Sequence, residues 1–216
     1  MMNQTHLPTA RVSLSLQLIL LLVTATTLAC MNIDSLWSTS TDLAHHYALV
    51  ARLSEHWNIP YLGDPSLGEM NNYPRLSHLL AAVIGRFFGS AVIGMQVTTF
   101  LAIFLLWSSL IYLVLSLPKN AAFIAVFILS VILWVNHRYL HLALHANEVI
   151  DNFFYAQLVA QAFVIFIVAL TLYFEFRGIL PELRHVFLIM AIYLAAGIHL
   201  LPALELLCFF FALTGI

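Results

Sequence analysis

The chain has 216 residues, of which 62% are hydrophobic and only 8% are charged, and its mean hydropathy is +0.97. A soluble core of this size cannot bury so much apolar surface, so the composition indicates that lipid surrounds most of the chain. The formal net charge is −2 and the sequence holds no cluster of lysine or arginine, which excludes nucleic acid as a partner. We therefore expect an all-α, polytopic membrane protein.

The first apolar segment covers residues 13–33 and is long enough to cross a bilayer. It also has the features of a signal peptide, with Arg11 before the apolar run and Cys30 near its end. Because more apolar segments follow, we interpret it as a retained first span. Cys30 and Cys208 both lie inside apolar runs, where a thiol acts as a small hydrophobic side chain, so we predict no disulfide.

Residues 34–89 are predicted to form an extracytoplasmic loop with helices at the membrane surface. Its first part is the longest polar stretch of the chain, and residues 76–89 form an apolar helix too short to span. Within the polar part, Asp42 is placed to cap a helix in which apolar residues recur on one face. These apolar residues are Leu43, Tyr47, Val50, Leu53 and Trp57. The pattern predicts an amphipathic helix that lies on the membrane.

The remaining spans are predicted within residues 90–216. The apolar runs cover residues 90–117, 121–135, 153–176 and 185–216. The last run contains Pro202 and is either one kinked helix or two shorter ones. With the first span, this gives about five or six transmembrane segments in a single domain, 1–216. The short loops that hold Lys119 and Arg177 place the N-terminus in the cytoplasm. The chain ends in an apolar run, so we expect it to be the N-terminal part of a longer protein.

Asp42, His45 and His46 are the first candidate functional group. Asp42 and His46 are four residues apart and therefore share one face of a helix. Two interpretations stay open from the residues alone. Asp42 is either a helix cap beside solvated histidines or a catalytic or metal-binding carboxylate.

The second candidate group lies in residues 136–152, a further outer stretch. His137, His141 and His145 follow one another at four-residue spacing, and Glu148 extends the same stripe. Such a stripe is compatible with a divalent metal, although the HExxH order of zinc proteases is missing. The alternatives are an interfacial helix whose histidines hydrogen-bond lipid headgroups or neighbouring loops, and a proton relay.

The order of these elements resembles the N-terminal part of GT-C-type membrane glycosyltransferases. The similarity is carried by the single first span, a "D-x-x-x-H-x-x-L-V-x-x-L" helix at residues 42–53, and a "YP-x-L-x-x-x-L" element at 73–80. A short helix ending in "FFG" and a long span follow. The resemblance covers residues 10–116, and more loosely the chain to 176. It implies an enzyme that uses polyprenyl-phosphate-linked sugars on the extracytoplasmic side.

The resemblance also implies roles for individual residues. Asp42 corresponds to the first-loop aspartate that acts as general base or metal ligand, and Glu148 and Asp151 lie where a second acidic position occurs. Transfer also needs groups that bind the substrate and stabilise the departing phosphate. The candidates for this binding are His46, Tyr73, Arg75, Arg138 and His199. The candidate ligands for Mg²⁺, Mn²⁺ or Zn²⁺ are Asp42, His45, His141 and His145.

The function we expect from the sequence is transfer of a sugar from a polyprenyl-phosphate carrier to an acceptor at the bacterial inner (plasma) membrane. The implied partners are the lipid bilayer, the polyprenyl-phosphate-linked sugar and further membrane subunits. Two alternatives stay open. One is a transporter or metal-handling protein that uses the histidine-rich outer stretch. The other is a non-catalytic subunit of a membrane complex.

Overall fold

A computed structural model describes residues 19, 21–27, 29–30, 43–60, 63–135, 138–139, 155–178 and 184–214. Every regular element in these ranges is helical, which confirms the all-α class. The helices are α1 (Leu43–Glu55), a 3₁₀ helix (Pro65–Asn72), α2 (Leu76–Phe88), α3 (Ala91–Ser116), α4 (Lys119–Val135), α5 (Tyr155–Arg177), α6 (Arg184–Ile198) and α7 (Leu200–Thr214). Residues 21–27 of the first predicted span are also helical.

Two helices in the described ranges are long and apolar enough to cross a membrane. They are Ala91–Ser116 and Tyr155–Glu175. Helix α4 has 17 residues and is about 26 Å long, which is short of the roughly 30 Å of a hydrocarbon core. The predicted run 185–216 is two helices of 15 residues each, separated at His199. The prediction of five or six spans is therefore wrong for the described part, because the length of an apolar run overestimates the length of the helix within it.

The polar chain between α1 and α2 is ordered by its own hydrogen bonds. The carboxylate of Asp64 caps the 3₁₀ helix by accepting from the Ser66 backbone N–H at 3.0 Å, and it pairs with Arg52 Nε at 2.7 Å. The Asn71 side chain accepts from the Asp64 backbone N–H at 2.7 Å, and Arg75 donates to the Asn71 carbonyl at 2.7 Å. The hydrogen bonds from Ser66, followed by the charge of Arg52, hold the pKa of Asp64 below its usual value. Residues 63–75 of this connection are therefore a fixed part of the scaffold.

Arg86 joins the end of α1 to α2. Its guanidinium donates to the backbone carbonyls of Ser54 and Glu55, with a distance of 2.9 Å from Nη2 to the Glu55 oxygen. The same group lies 4.1 Å above the centre of the Trp57 ring. The last carbonyls of a helix have no intrahelical donor, so Arg86 satisfies two groups that α1 leaves open. Helices α1 and α2 form a hairpin, and Trp57 is half-exposed at this end of it.

Helix α2 lies directly against α3 because of a tight turn and a close approach. Gly89 ends α2 with a φ of +72°, and the Ser90 N–H donates to the Gly85 carbonyl at 2.8 Å. Further along α3, a Cβ built on Gly94 would be 2.1 Å from the carbonyl oxygen of Ala81. Only glycine fits at position 94, and its presence lets the two backbones touch.

The buried face of α1 differs from the predicted one. The structure buries His46, Leu49, Val50 and Leu53, which are spaced at i, i+3, i+4 and i+7. Tyr47, which the sequence placed on the apolar stripe, is instead exposed. His46 takes an inward position because its ring nitrogen finds a buried partner, which removes most of the penalty for burying a polar group. The α1 face then packs with α2, α3 and α5 in one core, and α5, α6 and α7 form a second core.

Candidate functional site

Three histidines and two tyrosines lie together where α1, α2 and α5 meet, and we call them the ring cluster. Its members are His46, Tyr73, His78, Tyr155 and His199. The ring centres of His46 and His78 are 5.1 Å apart, and Tyr73 lies 5.4 Å from His46 and 5.6 Å from His78. The Tyr155 ring closes the inner side at 5.3 Å from His78, and the His199 ring lies 6.2 Å from Tyr73. The cluster therefore brings together residues that are distant in the sequence, since His46 and His199 are 153 positions apart.

Local structure explains how each ring arrives at this place. His46 continues the inward face of α1, and His78 lies on a face of α2 made of small residues, which lets α1 and α3 approach. Tyr155 is the first residue of α5. Tyr73 ends the 3₁₀ helix with an extended backbone, the conformation expected before a proline. His199 separates α6 from α7, and its Nδ1 accepts from the Leu201 N–H at 3.3 Å.

The core of the ring cluster is a hydrogen-bonded imidazole pair. His46 Nδ1 is 2.9 Å from His78 Nε2, and His78 Nδ1 is 3.3 Å from the Ser77 hydroxyl. The Tyr155 hydroxyl donates to the Ser77 carbonyl at 3.1 Å. His46 is 3% exposed, and His78 and Tyr155 are fully buried. These polar groups therefore satisfy one another away from water, as buried polar networks must.

Burial decides the charge of His78. The pKa of His78 is lowered to about 3, first by removal from water and then by the nearby His46, while the Pro74 backbone opposes both effects. His78 is therefore a neutral imidazole at physiological pH. A neutral ring between two partners acts as donor on one nitrogen and acceptor on the other.

The structure brings together only part of the predicted site. Of the predicted substrate-binding residues, His46, Tyr73 and His199 belong to the ring cluster. Arg75 instead donates to the Asn71 carbonyl within the loop, and Arg138 is exposed beyond the end of α4. Predicted residues that lie outside the described residues are Asp42, His141, His145, Glu148 and Asp151. Asp42 is bonded to Leu43, the first residue of α1, so the sequence ties it to the helix that carries His46.

The described residues do not fit a metal ion. No three side chains of histidine, cysteine, aspartate or glutamate in these ranges are grouped as ligands. His46 and His78 turn their nitrogens toward each other, whereas two ligands would both face the ion. His45, the one predicted metal ligand in these ranges, is exposed on α1. The metal site stays a prediction.

His78 and Tyr155 are the members of the ring cluster that the sequence reasoning missed. A signal for His78 is present, because it is the polar member of an otherwise small-residue face made with Ala81, Ala82 and Gly85 at i+3, i+4 and i+7. Such a face indicates close helix packing, and a histidine within it needs a buried partner. Tyr155 carries no comparable signal, because an aromatic residue at the start of an apolar helix is common.

A second polar contact lies between α5 and α7. Gln161 Nε2 donates to Glu205 Oε2 at 3.1 Å. Such amide and carboxyl groups often join helices in apolar surroundings. We interpret the contact as structural.

Comparisons with protein-family models, with curated proteins and with solved structures find no match to this chain.

Proposed function

We propose that this chain is a membrane-embedded, GT-C-like glycosyltransferase that transfers a sugar from a polyprenyl-phosphate carrier to an acceptor hydroxyl on the extracytoplasmic face. The proposal includes a multi-pass arrangement in the bacterial plasma membrane with a cytoplasmic N-terminus. It rests on the resemblance of residues 10–116 and on one structural observation. That observation is the α1–α2 hairpin, which packs on the two helices of spanning length and buries His46 in the ring cluster.

The position of His46 supports Asp42 as the general base. The two residues are four positions apart in the sequence, and His46 belongs to a buried, water-poor site beside the start of α5. A carboxylate at the edge of such a site can accept the proton of an acceptor hydroxyl as the hydroxyl attacks the sugar. The imidazole of His199, whose Nδ1 accepts from the Leu201 N–H, carries its own N–H at Nε2 and can donate a hydrogen bond to the departing polyprenyl phosphate.

Transfer by the purified full chain in lipid nanodiscs tests the proposal. A panel of polyprenyl-phosphate-linked sugars is supplied with candidate acceptors, and the release of polyprenyl phosphate is measured. The Asp42→Asn variant is expected to lose activity by about 100-fold or more, the scale expected when a general base is removed. If the folded wild-type chain turns over none of these donors, or if Asp42→Asn is fully active, the proposal fails.

Asp64→Asn provides the matched control for Asp42→Asn. It makes the same chemical change in the same polar stretch, and asparagine retains the ability to cap the 3₁₀ helix. Asp64 interacts with Arg52 and Ser66 within the scaffold, so this variant is expected to keep its transfer activity. Equal loss in both variants would indicate a general effect on folding.

The transporter or metal-handling alternative takes second place. Its residues, His141 and His145, lie outside the described residues, and the polar pair of Gln161 and Glu205 has a structural explanation. Elemental analysis of the purified chain, with uptake measurements in vesicles, distinguishes it from the transferase. Stoichiometric bound metal and ion uptake without sugar transfer would favour the alternative.

A further inference from the structure

Helix α2 turns its small residues inward and its large apolar residues outward. Its buried side is formed by Ser77, His78, Ala81, Ala82 and Gly85. Its exposed large apolar residues are Leu76, Leu80, Val83, Phe87 and Phe88. In water the burial of large apolar side chains stabilises a fold most, so a water-facing helix has the opposite arrangement. The outer face of α2 therefore matches an apolar medium.

The surroundings of this outer face also suit hydrocarbon. Residues 76–85 contain no aspartate, glutamate, lysine or arginine. The turn at Gly89 leads directly from α2 into α3, whose length and composition are enough to cross a membrane. Helix α1 differs, because its apolar residues Leu49, Val50 and Leu53 are fully buried against the protein. The apolar surface that the hairpin leaves for lipid is therefore mainly on α2.

Charged and aromatic side chains surround an open concavity where α1 ends beside the last turn of α2. Its volume is about 690 Å³, and its lining includes Arg52, Glu55, Trp57 and Arg86. The Arg52 guanidinium pairs with Asp64 at 2.7 Å, and more weakly with the exposed Glu55 carboxylate at 3.5 Å. Arg86 is exposed and carries more N–H donors than its bonds to two α1 carbonyls use. The concavity therefore offers one guanidinium and one carboxylate to a ligand.

The concavity lies at the edge of the apolar face of α2. Arg86 is followed in the chain by Phe87, which is 85% exposed, and by the exposed Phe88. The Arg86 guanidinium lies 4.1 Å above the centre of the half-exposed Trp57 ring. Tryptophan is enriched where the headgroups of a bilayer meet its hydrocarbon, and arginine can keep its charge at that level while its stem lies along apolar surface. This end of the hairpin therefore has the chemistry of the boundary between headgroups and hydrocarbon.

We propose that the concavity binds the headgroup of a zwitterionic phospholipid with a primary ammonium group, such as phosphatidylethanolamine. Arg86 donates hydrogen bonds to the phosphate, and the Glu55 carboxylate accepts from the ammonium group. The acyl chains lie against Phe87 and the outer face of α2. The site rests on the membrane setting of the proposed function and does not depend on sugar transfer.

Charge complementarity selects this headgroup. Arg52 and Asp64 neutralise each other, so Glu55 and Arg86 leave the concavity with one charge of each sign. An anionic headgroup, such as that of phosphatidylglycerol, has no cation for Glu55 and is repelled by it. A soluble phosphate would leave the apolar residues beside Arg86 uncovered. A lipid with a phosphate, an ammonium group and acyl chains matches all three parts of this surface.

A spin label at position 87 tests whether hydrocarbon covers α2. The full chain carries Cys30→Ser and Cys208→Ser, and a nitroxide is attached to Phe87→Cys in phosphatidylethanolamine-containing nanodiscs. The label should collide with oxygen, which concentrates in hydrocarbon, and should be shielded from a water-soluble nickel complex. Glu69→Cys, at an exposed position of the 3₁₀ helix, is the matched control and should show the reverse.

Two results of the spin-label experiment would overturn the proposal. Access of the nickel complex to position 87 would show that water covers this face. Spin–spin broadening at position 87 that disappears on dilution with unlabelled chain would show that a second copy covers it.

Competition between two lipids tests the headgroup. Phosphatidylethanolamine and phosphatidylglycerol with identical acyl chains compete for the full chain in detergent, and native mass spectrometry counts the bound lipids. The wild type should retain phosphatidylethanolamine about 10-fold more strongly, the scale of one charge-assisted hydrogen bond. Equal retention, or a preference for phosphatidylglycerol, would contradict the assignment.

Substitutions of the two charged residues identify their roles. Glu55→Gln should remove the preference, and it leaves the hairpin closed because Arg86 bonds the backbone carbonyl of Glu55 and not its carboxylate. Arg86→Gln should weaken both lipids about 10-fold. Arg75→Gln removes the same charge at the other end of α2 and should bind as the wild type. A preference that persists in Glu55→Gln would refute the ammonium contact, and this variant with the wild type decides if Arg86→Gln does not fold.

The lipid measurements also separate this inference from the proposed function. Lipid selectivity without any sugar transfer would leave the inference standing and remove the transferase. Sugar transfer by a chain that shows no lipid preference would do the reverse.

Discussion

Gly94→Ala should disrupt the contact that positions the ring cluster. The added Cβ would lie 2.1 Å from the Ala81 carbonyl oxygen and 2.7 Å from the Gly85 backbone nitrogen. Both obstacles are backbone atoms of α2, so no side-chain rotation relieves the collision, and α2 must move away from α3. His78 lies one turn before Ala81 on the same helix, so the displacement also reaches the imidazole pair.

The expected loss follows from two opposing terms. Replacing a helical glycine by alanine gains about 1 kcal/mol of helix propensity, while overpacking of a close contact costs about 1–3 kcal/mol or more. Because the contact is backbone on both sides, the upper part of that range applies, and the net loss is about 2 kcal/mol. For a domain of this size, this corresponds to a decrease in Tm of about 4–8 °C.

Gly197→Ala is the matched control, because its Cβ would meet only the Leu76 side chain at 3.6 Å, an ordinary contact. This variant is expected to be as stable as the wild type or slightly more stable. Both proteins are compared by thermal unfolding in the same detergent. Equal Tm values for Gly94→Ala and Gly197→Ala would refute the close approach of α2 and α3.

Three further substitutions test the surroundings of the site. Tyr155→Phe removes the donor to the Ser77 carbonyl and should lower the free energy of unfolding by about 1 kcal/mol. Denaturation in detergent measures this free energy, and an unchanged value would contradict the hydrogen bond. Arg86→Met should lower the free energy of unfolding by about 1 kcal/mol, because it leaves two carbonyls of α1 without their donor and removes the contact with Trp57. A red shift of the Trp57 fluorescence should accompany this loss. The pKa of His78 is lower in the folded state than in the unfolded state, so below about pH 6.5 only the unfolded state binds a proton at this residue. Acidification from pH 7 to 5 should therefore destabilise the wild type by about 2 kcal/mol more than it destabilises His78→Gln. Equal pH dependence of the two proteins would show that His78 is not buried as a neutral ring.

The sequence predicted the helices of the hairpin well because their signals are local. Residues 76–89 were expected to be a short helix, and α2 covers Leu76–Phe88. Amphipathic periodicity likewise placed a helix after Asp42, and α1 begins at Leu43. These elements are defined by spacing and by turn residues, which a single sequence shows directly.

The inward direction of α1 and the number of spans could not be predicted in the same way. His46 appeared solvated because its partner, His78, is 32 residues away and lies on another helix. Apolar composition also continues through His199, although the helix stops there, so the run appeared longer than either α6 or α7. The partner of His46 is a tertiary contact, which periodicity does not contain. The interruption at His199 is local, because Pro202 has no N–H to donate to the Ile198 carbonyl, and it agrees with the two shorter helices that the sequence left open.

The site residues that the sequence indicated were those within recognisable local patterns. Tyr73 was indicated by the "YP" element and His199 by its place in an apolar run, and both lie in the ring cluster. Arg75 belongs to the same "YP" element, but its side chain donates a hydrogen bond to the Asn71 carbonyl and so stabilises the loop. Residue type and neighbourhood therefore suggested candidates, whereas only the fold separates a site residue from a scaffold residue.

Helix α2 has an apolar outer face as well as an inner one. Leu76, Leu80, Val83 and Phe87 recur at helical spacing, and all are exposed, with Phe87 at 85%. The fully buried His78 lies on the opposite face, so one helix diameter of about 10 Å separates the imidazole pair from the medium outside α2. At that distance the strength of a charge interaction depends on whether water or hydrocarbon lies beyond the helix. If the proposed membrane lies against this face of α2, the electrostatics of the ring cluster are coupled to the thickness and composition of the lipid, and detergent and bilayer preparations of this protein should differ in the pH dependence of its stability.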